Sequence, residues 1–192
     1  ILAGYKVVKI VEHYESNFNR VSKSENIFEN NLNTKITILD TGLETMTGGR
    51  LMLGAEYLNE ENFYLTYGDG IANINLEDLT KFFIEKDKIA TVTAVRPPAR
   101  FGSLEIENNI VTNFGEKDNT SSGWINGGFF VFKKQILEYL TDLEEILEKK
   151  PLELLAEKKQ LSAFKHEGFW QPCDTIRELE ILERAIESGL VN

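Results

Sequence analysis

The alternation of short apolar runs with helix-patterned segments is the feature that most constrains the fold of this chain. An apolar run at residues 36–42 ends in a turn, and residues 48–59 then place apolar side chains at helical spacing. A second run ends at Tyr67, and a third, rich in β-branched residues, covers residues 89–97 and stops at two prolines. Strand, helix and strand in succession require right-handed crossovers. The pattern therefore predicts an α/β fold with a mainly parallel sheet and helices on both faces.

Local signals predict the ends of further elements. Leu79, Phe82 and Phe83 form one apolar stripe, which predicts a helix. Asn75 stands directly before this pattern, and asparagine is a typical helix N-cap. After residue 100 the pattern changes to short strands around an Asn-Asn pair, which predicts a small β-hairpin inserted into the α/β layers. Because no repeat, low-complexity tract or linker interrupts residues 1–192, we expect a single domain.

The charge balance limits the partners of the protein. Its 192 residues include 21 Lys and Arg against 31 Asp and Glu, and this formal net charge of −10 repels nucleic acid and anionic membranes. No stretch approaches the ~20 apolar residues of a membrane span. The one cysteine, Cys173, cannot form an internal disulfide and suits a reducing compartment. We therefore expect a cytoplasmic protein that binds neither nucleic acid nor membrane.

Two aspartates stand where ligands are expected in an open parallel sheet, beyond the carboxyl ends of the strands. Asp69 follows the run that ends at Tyr67, and the flanking Gly68 and Gly70 would let a ligand and a cation approach its carboxylate. Asp174 stands before the last helical pattern. Taken separately, an Asp-Gly turn and a helix N-cap explain these residues better. Taken together, two carboxylates on strand-end loops predict a Mg²⁺ site.

The segment TGGR, Thr47 to Arg50, places two glycines and an arginine at the start of a helical pattern. Exposed amides at the positive end of the helix dipole would favour an anion or a polar ring edge. The Arg50 fork can donate two parallel hydrogen bonds to a planar pair of acceptors. The alternative is a glycine turn with a solvated arginine.

Two more segments carry groups suited to a phosphorylated ligand rich in hydroxyls. Glu116 and Lys117 are adjacent, and Asn126 precedes Gly127 at the start of an aromatic strand. A carboxylate accepts hydrogen bonds from hydroxyls, an ammonium neutralises phosphate, and glycine leaves space for a ring. Each segment is also typical of a surface ion pair or a strand-end turn.

These motifs occur in an order that resembles the sugar-nucleotide pyrophosphorylases, and most closely their cytidylyl-transferring branch acting on glucose 1-phosphate. The likeness covers most of the chain, from Gly4 to the final helix. The segments that carry it are DTGLETMTGGRL, YLTYGDGIANI, RFGSLEIENN, NFGEK, WINGGFFVF and HEGFWQPCDTIREL. The resemblance implies a Rossmann-like nucleotidyltransferase fold and the conversion of CTP and glucose 1-phosphate into CDP-glucose and pyrophosphate. It also implies a homo-oligomer and a role in bacterial dideoxysugar and O-antigen synthesis.

The resemblance also implies roles for individual residues. Asp69 and Asp174 would be catalytic and would hold Mg²⁺, and Gly68 would pass close to the nucleotide. Arg50 and Thr45 would face the cytosine. The remaining roles concern the sugar phosphate, which Glu116, Lys117, Asn126 and Gly127 would bind, with Gly102 close to the sugar.

One departure from the family pattern concerns the start of the chain. Family members open with a glycine-rich, arginine-containing loop followed by a Pro-Lys-Pro segment, and neither occurs in this sequence. We therefore expect an N-terminally truncated chain with little activity by itself, derived from an enzyme. Two alternatives remain open: a related pyrophosphorylase that uses another nucleotide, and a non-catalytic sugar-nucleotide-binding module.

Overall fold

A computed structural model describes residues 1–22, 24–97, 102–107, 110–116 and 123–191 of the chain. Strands and helices alternate along it. The strands are β1 (Leu2–Ala3), β2 (Asn19–Ser22), β3 (Ile27–Glu29), β4 (Lys35–Thr37), β5 (Leu39–Asp40), β6 (Asn62–Thr66), β7 (Gly70–Ala72), β8 (Ala90–Val95), β9 (Gly102–Glu107), β10 (Ile110–Glu116), β11 (Ile125–Lys133), β12 (Leu161–Lys165) and β13 (Trp170–Pro172). The α-helices are α1 (Val7–Asn17), α2 (Thr47–Gly54), α3 (Leu76–Lys86), α4 (Lys150–Glu157) and α5 (Ile176–Glu187), and short 3₁₀ helices span Ala55–Tyr57 and Lys134–Tyr139.

The chain divides into two compact units. The first consists of residues 1–61 and 134–158, and the second of residues 62–133 and 159–192. In the first unit, Phe28 is fully buried and forms a cluster with Ala3 and Ile38, against which the aromatic rings of Tyr14 and Phe18 pack. This cluster is the apolar contact that holds α1 to the small strands around it.

The predicted strand at residues 36–42 is two short strands in different ladders. β4 pairs antiparallel with β3, whereas β5 pairs parallel with β1. Between them Ile38 is buried, and its amide donates to the Asn26 carbonyl at 2.8 Å. A run of apolar residues cannot reveal such a change of partner, because burial on either ladder requires the same side chains.

The second unit is built on a four-stranded sheet with the strand order β12-β8-β11-β6. β12 is parallel to β8, and β11 is antiparallel to both β8 and β6. Three strands therefore run in one direction, and β11 alone opposes them within this sheet. The α/β prediction is confirmed, while the observed sheet is mixed, because β11 enters the sheet after the β9–β10 hairpin instead of after a crossover helix.

The two faces of this sheet have different partners. Helix α3 packs Leu79 and Phe83 against Val131, with Phe164 at the margin of the cluster. Since side chains alternate along a strand, Phe130 and Phe132 point to the opposite face, where their rings stack with centroids 5.2 Å apart. The face opposite α3 is therefore aromatic along β11.

Helix α3 begins as its sequence predicts. The side chain of Asn75 accepts hydrogen bonds from the amides of Glu77 and Asp78 at 3.0 and 3.2 Å, and this satisfies two of the amides that a helix N-terminus leaves unpaired. At the other end of α3, the Asp87 carboxylate accepts a hydrogen bond from the Lys133 ammonium. This hydrogen bond holds the pKa of the Asp87 carboxyl below its ordinary value.

The predicted hairpin is confirmed by its backbone. β9 and β10 pair antiparallel, from Glu107 opposite Ile110 to Gly102 opposite Glu116, with one irregularity in register between Val111 and Asn113.

Candidate active site

The loop after β6 carries Asp69 at the carboxyl end of that strand, where ligands bind in α/β sheets. Gly68 and Asp69 are both exposed. A Cβ built on Gly68 would meet no atom within 4 Å. The space next to the carboxylate is therefore open, as the sequence predicts.

A second loop lies directly beside the first. β13 pairs antiparallel with β7, with Pro172 opposite Gly70, and the Cys173 amide then donates to the Asp69 carbonyl at 2.7 Å. Asp174 is the next residue in the chain. Pairing of two short strands that are far apart in sequence thus brings the two aspartate-bearing loops together.

Asp174 is not the N-cap of the last helix. The cap is Thr175, whose hydroxyl accepts from the Glu178 amide at 3.3 Å. In return, the Glu178 carboxylate accepts from the Asp174 amide and from the Thr175 hydroxyl, both at 3.0 Å. This is a capping box shifted by one residue. It holds the backbone of Asp174 and leaves its carboxylate out of helix capping.

The two carboxylates suit a hard cation. Both side chains are exposed, and neither makes a hydrogen bond or an ion pair with another described residue. Carboxylate oxygens are the donors that Mg²⁺ prefers, and this ion commonly keeps waters and substrate phosphate oxygens as its other ligands. Across the described residues, no cluster of three or more His, Cys, Asp or Glu could hold a metal by itself. The residues present therefore fit an ion that two carboxylates share with a substrate.

Asn126 stands at the start of β11 on the same side of the second unit. Its amide nitrogen donates to the hydroxyl of Tyr67 at 3.2 Å, and its amide oxygen accepts from the Gly128 amide at 2.8 Å. The Tyr67 amide in turn donates to the Gly128 carbonyl at 3.0 Å. Asn126 is thus tied to the strand that leads into the Asp69 loop.

Gly127 has a packing role besides any contact with ligand. It is buried, and a Cβ there would lie 2.8 Å from Val95 Cγ1 and 2.9 Å from the Thr93 carbonyl oxygen. Its own carbonyl accepts the indole N–H of Trp170 at 2.7 Å. Since Trp170 begins β13, this hydrogen bond joins the Asn126–Gly127 segment to the strand pair that carries both aspartates.

Three of the predicted residues lie in or beside the hairpin. Gly102 and Glu116 are Cα partners at one end of the β9–β10 ladder. Lys117 lies outside the described residues. Their predicted contacts with the sugar phosphate remain predictions.

The TGGR segment is used differently from the prediction. The Gly48 and Gly49 amides both donate to the Glu145 carbonyl, at 2.9 and 3.3 Å, and both residues are buried. A Cβ on Gly48 would lie 2.7 Å from that carbonyl oxygen. The prediction of exposed amides for an anion is wrong. The glycines are needed because the start of α2 packs against another backbone segment. The Leu143 carbonyl of that segment also accepts a hydrogen bond from the Met46 amide.

Arg50 is half-buried, and its guanidinium is hydrogen-bonded within the protein. Its guanidinium donates to the Thr41 hydroxyl, to the Gly42 carbonyl at 3.0 Å and to the Leu43 carbonyl at 3.4 Å. Thr45 donates to the Thr41 carbonyl. Both residues therefore hold one loop of the first unit in place, and their predicted contacts with a cytosine remain predictions.

Two residues that link these segments are missing from the sequence predictions. The sequence predicts no site role for Tyr67 or Trp170, yet the Asn126 amide donates to the Tyr67 hydroxyl and the Trp170 N–H donates to the Gly127 carbonyl. A buried tyrosine or tryptophan usually finds a partner for its O–H or N–H. The signal was present in the residue types, but the partner depends on strands that meet only in the fold.

Comparison with known proteins identifies the family. Residues 3–184 match the family model described as Nucleotidyl transferase. The chain belongs to this nucleotidyl transferase family. This family relationship confirms the resemblance read from the motifs.

Individual relatives agree with this assignment. The chain is 38% identical to the glucose-1-phosphate cytidylyltransferase of Salmonella typhi, over 98% of its own length and 77% of that protein. It is 39% identical to a probable glucose-1-phosphate cytidylyltransferase of Bacillus subtilis, over 93% of its length and 74% of that protein. Among solved structures, HddC from Yersinia pseudotuberculosis matches with a TM-score of 0.68 at 19% identity, over 95% of this chain and 76% of that one. The last likeness establishes the nucleotidyltransferase fold.

Within the described part of the chain, none of the helices combines the length and the apolar character needed to cross a lipid bilayer.

Proposed function

We propose that this protein is a glucose-1-phosphate cytidylyltransferase, which forms CDP-glucose and pyrophosphate from CTP and glucose 1-phosphate. The family relationship and the two similar relatives named for this activity support the reaction class and the substrates. The observation that carries the proposal is the β7–β13 pairing with the bond from the Cys173 amide to the Asp69 carbonyl, which makes Asp69 and Asp174 neighbours.

The proposed mechanism follows from the charges of the reactants. A phosphate oxygen of glucose 1-phosphate attacks the α-phosphorus of CTP, and pyrophosphate leaves with the electron pair of the broken bond. Both reactants are anions, so the protein must bring like charges together and stabilise the charge that develops between them. Asp69 and Asp174 would hold Mg²⁺, which supplies charge neutralisation and orients the phosphates when bound.

The other residues would recognise the substrates. Asn126, held by Tyr67, would present its amide to the sugar phosphate, with Glu116 and Lys117 completing this contact. Arg50 and Thr45 would shape the loop at residues 41–43 against the cytosine, through the hydrogen bonds that they make to it. In this proposal the enzyme acts in the cytoplasm as a homo-oligomer, and its product serves bacterial dideoxysugar and O-antigen synthesis.

The test is a synthesis assay with the full-length enzyme, because residues 1–192 by themselves are expected to have little activity. The wild-type protein is compared with two variants. CDP-glucose formation is measured with Mg²⁺, and CTP is compared with UTP, dTTP and GTP. We expect turnover with CTP, and a loss of about 100-fold or more in kcat for Asp69→Asn and Asp174→Asn, because each variant removes a charged ligand at the centre of developing charge.

Asp78→Asn is the matched control. Asp78 is an exposed carboxylate on α3, 3.9 Å from Lys81, and it makes no part of the site. We expect this variant to keep the wild-type rate. Preference for a nucleotide other than CTP would contradict the cytidylyl assignment, and unchanged turnover in Asp69→Asn would contradict the metal site.

A further inference from the structure

Two cationic side chains lie over one indole ring at the edge of the sheet in the second unit. The guanidinium carbon of Arg96 is 4.4 Å from the centroid of the Trp124 ring, and the ammonium of Lys165 is 5.3 Å from it. Both distances are within the range at which an aromatic ring attracts a cation. We refer to Arg96, Trp124 and Lys165 as the Trp124 cluster.

The cluster lies at the edge where ligands bind. Arg96 follows the last residue of β8, and Lys165 is the last residue of β12, so both stand at carboxyl ends of parallel strands. Trp124 precedes the first residue of β11, which runs the opposite way and so begins at the same edge. Asp69 follows the carboxyl end of β6, which runs in the same direction as β8.

The register places Lys165 in one row with Asn126. Both residues are Cα partners of Ala94, one from each side of β8. Residues opposite one another in neighbouring strands point to the same face of a sheet, and neighbouring strands are about 4.8 Å apart. The two Cα atoms are therefore about 10 Å apart, with only the small side chain of Ala94 between them. Since Phe164 packs towards α3, Lys165 points to the opposite face.

The row of Lys165, Ala94 and Asn126 contains groups that suit a phosphate, namely an ammonium and an amide. The ammonium of Lys165 is exposed, and it forms no ion pair with any residue that the structure describes. Its position is restrained by the indole, so it would lose less side-chain freedom on binding than an unrestrained lysine. The net charge of −10 repels anions from the protein as a whole. A cation held at the ligand edge of the sheet attracts an anion to that position.

We propose that Lys165, held over the ring of Trp124, binds the phosphate of the sugar 1-phosphate in the row shared with Asn126. This assignment rests on the proposed function, since it names a further binding residue for the same reaction. Trp124 is a positioning residue in it, because its ring sets where the ammonium lies. The residues predicted from the motifs did not include Arg96, Trp124 or Lys165.

The experiment compares Lys165→Met with Lys165→Arg in steady-state synthesis, varying glucose 1-phosphate and CTP separately. Methionine keeps the length of the side chain and removes its charge. We expect Lys165→Met to raise KM for glucose 1-phosphate roughly 10- to 100-fold, the effect of one hydrogen bond to a charged group. KM for CTP stays within about twofold, and Lys165→Arg recovers most of the affinity because it restores the charge.

Lys86→Met is the matched control. Lys86 also lies over an aromatic ring, that of Phe82 at 5.1 Å, but on α3, which packs against the other face of the sheet. We expect it to leave both KM values unchanged. An unchanged KM for glucose 1-phosphate in Lys165→Met, or a rise only in KM for CTP, overturns the assignment while the proposed function stands.

Calorimetric binding of glucose 1-phosphate separates the two proposals. If the full-length wild-type enzyme makes no CDP-glucose, the proposed function fails, and binding alone then decides the role of Lys165. Weaker binding by Lys165→Met than by Lys86→Met supports the phosphate contact. Equal binding by the two variants, or no binding by the wild-type protein, overturns it.

Discussion

Glycines in this protein have two distinct uses that look alike in sequence. Gly68 stands in open space beside Asp69, whereas Gly127 is enclosed by Val95 and by the Thr93 carbonyl. Gly48 and Gly49 are likewise enclosed by backbone, and they allow a helix start to approach another segment. A glycine in a motif is therefore evidence for a ligand only where the space that it leaves is open.

The enclosed glycine gives the first prediction. Gly127→Ala would place a methyl group 2.8 Å from Val95 Cγ1, and we expect it to lower the free energy of unfolding by about 1–3 kcal/mol, as overpacking in a core does. Urea denaturation measures the change. Gly123→Ala is the control, because a Cβ there would meet no atom within 4 Å. Equal stability of the two variants would contradict the packing role.

The free amides at three helix N-termini of this fold are hydrogen-bonded by different groups. α3 uses the side chain of Asn75, α5 uses the reciprocal pair of Thr175 and Glu178, and α2 uses a carbonyl from another segment, that of Glu145. The first two solutions lie within four residues of the helix start, so the sequence contains them. The third depends on a segment almost one hundred residues away and cannot be predicted from the helix itself.

The cap of α5 connects helix stability to the candidate metal site. We expect Thr175→Ala to lower the free energy of unfolding by about 1 kcal/mol, the ordinary cost of losing an N-cap. Because the same capping box holds the Asp174 amide, Mg²⁺ affinity should fall as well. Urea denaturation and metal titration measure the two effects. Thr175→Ser keeps the hydroxyl and is the control. An unchanged Mg²⁺ affinity in Thr175→Ala would mean that the capping box does not contribute to the metal site.

For the chain as a whole, the charge balance and the metal are coupled. A net charge of −10 opposes the binding of two anionic substrates, and a divalent cation between two carboxylates removes part of that repulsion. Ligands that bind only the folded state stabilise it by mass action.

This coupling predicts the effect of ligand on thermal unfolding. At a fixed Mg²⁺ concentration, CDP-glucose at about 100 times its dissociation constant should stabilise the folded state by about 2.7 kcal/mol. That corresponds to a rise of roughly 5–10 °C in Tm for a chain of this size. Removal of Mg²⁺ with a chelator should abolish the rise, as should Asp69→Asn. A rise of the same size in Asp69→Asn would mean that the product binds without metal at this loop.

Local sequence patterns are sufficient to predict the types of element, the cap at Asn75, the hairpin and the position of Asp69 after a strand. These follow from side-chain periodicity and from contacts within a few residues, which any chain with this local pattern would share. The motif order also indicated the family and the reaction class.

Which of these residues contact one another depends on the packing of distant segments. The direction of β11, the burial of Gly48 and Gly49, the partners of Tyr67 and Trp170, and the adjacency of Asp69 to Asp174 each depend on pairing between segments far apart in the chain. Local patterns carry no information on such pairing, because the same apolar strand can be buried against several alternative partners. The free energy of the packed fold selects among them.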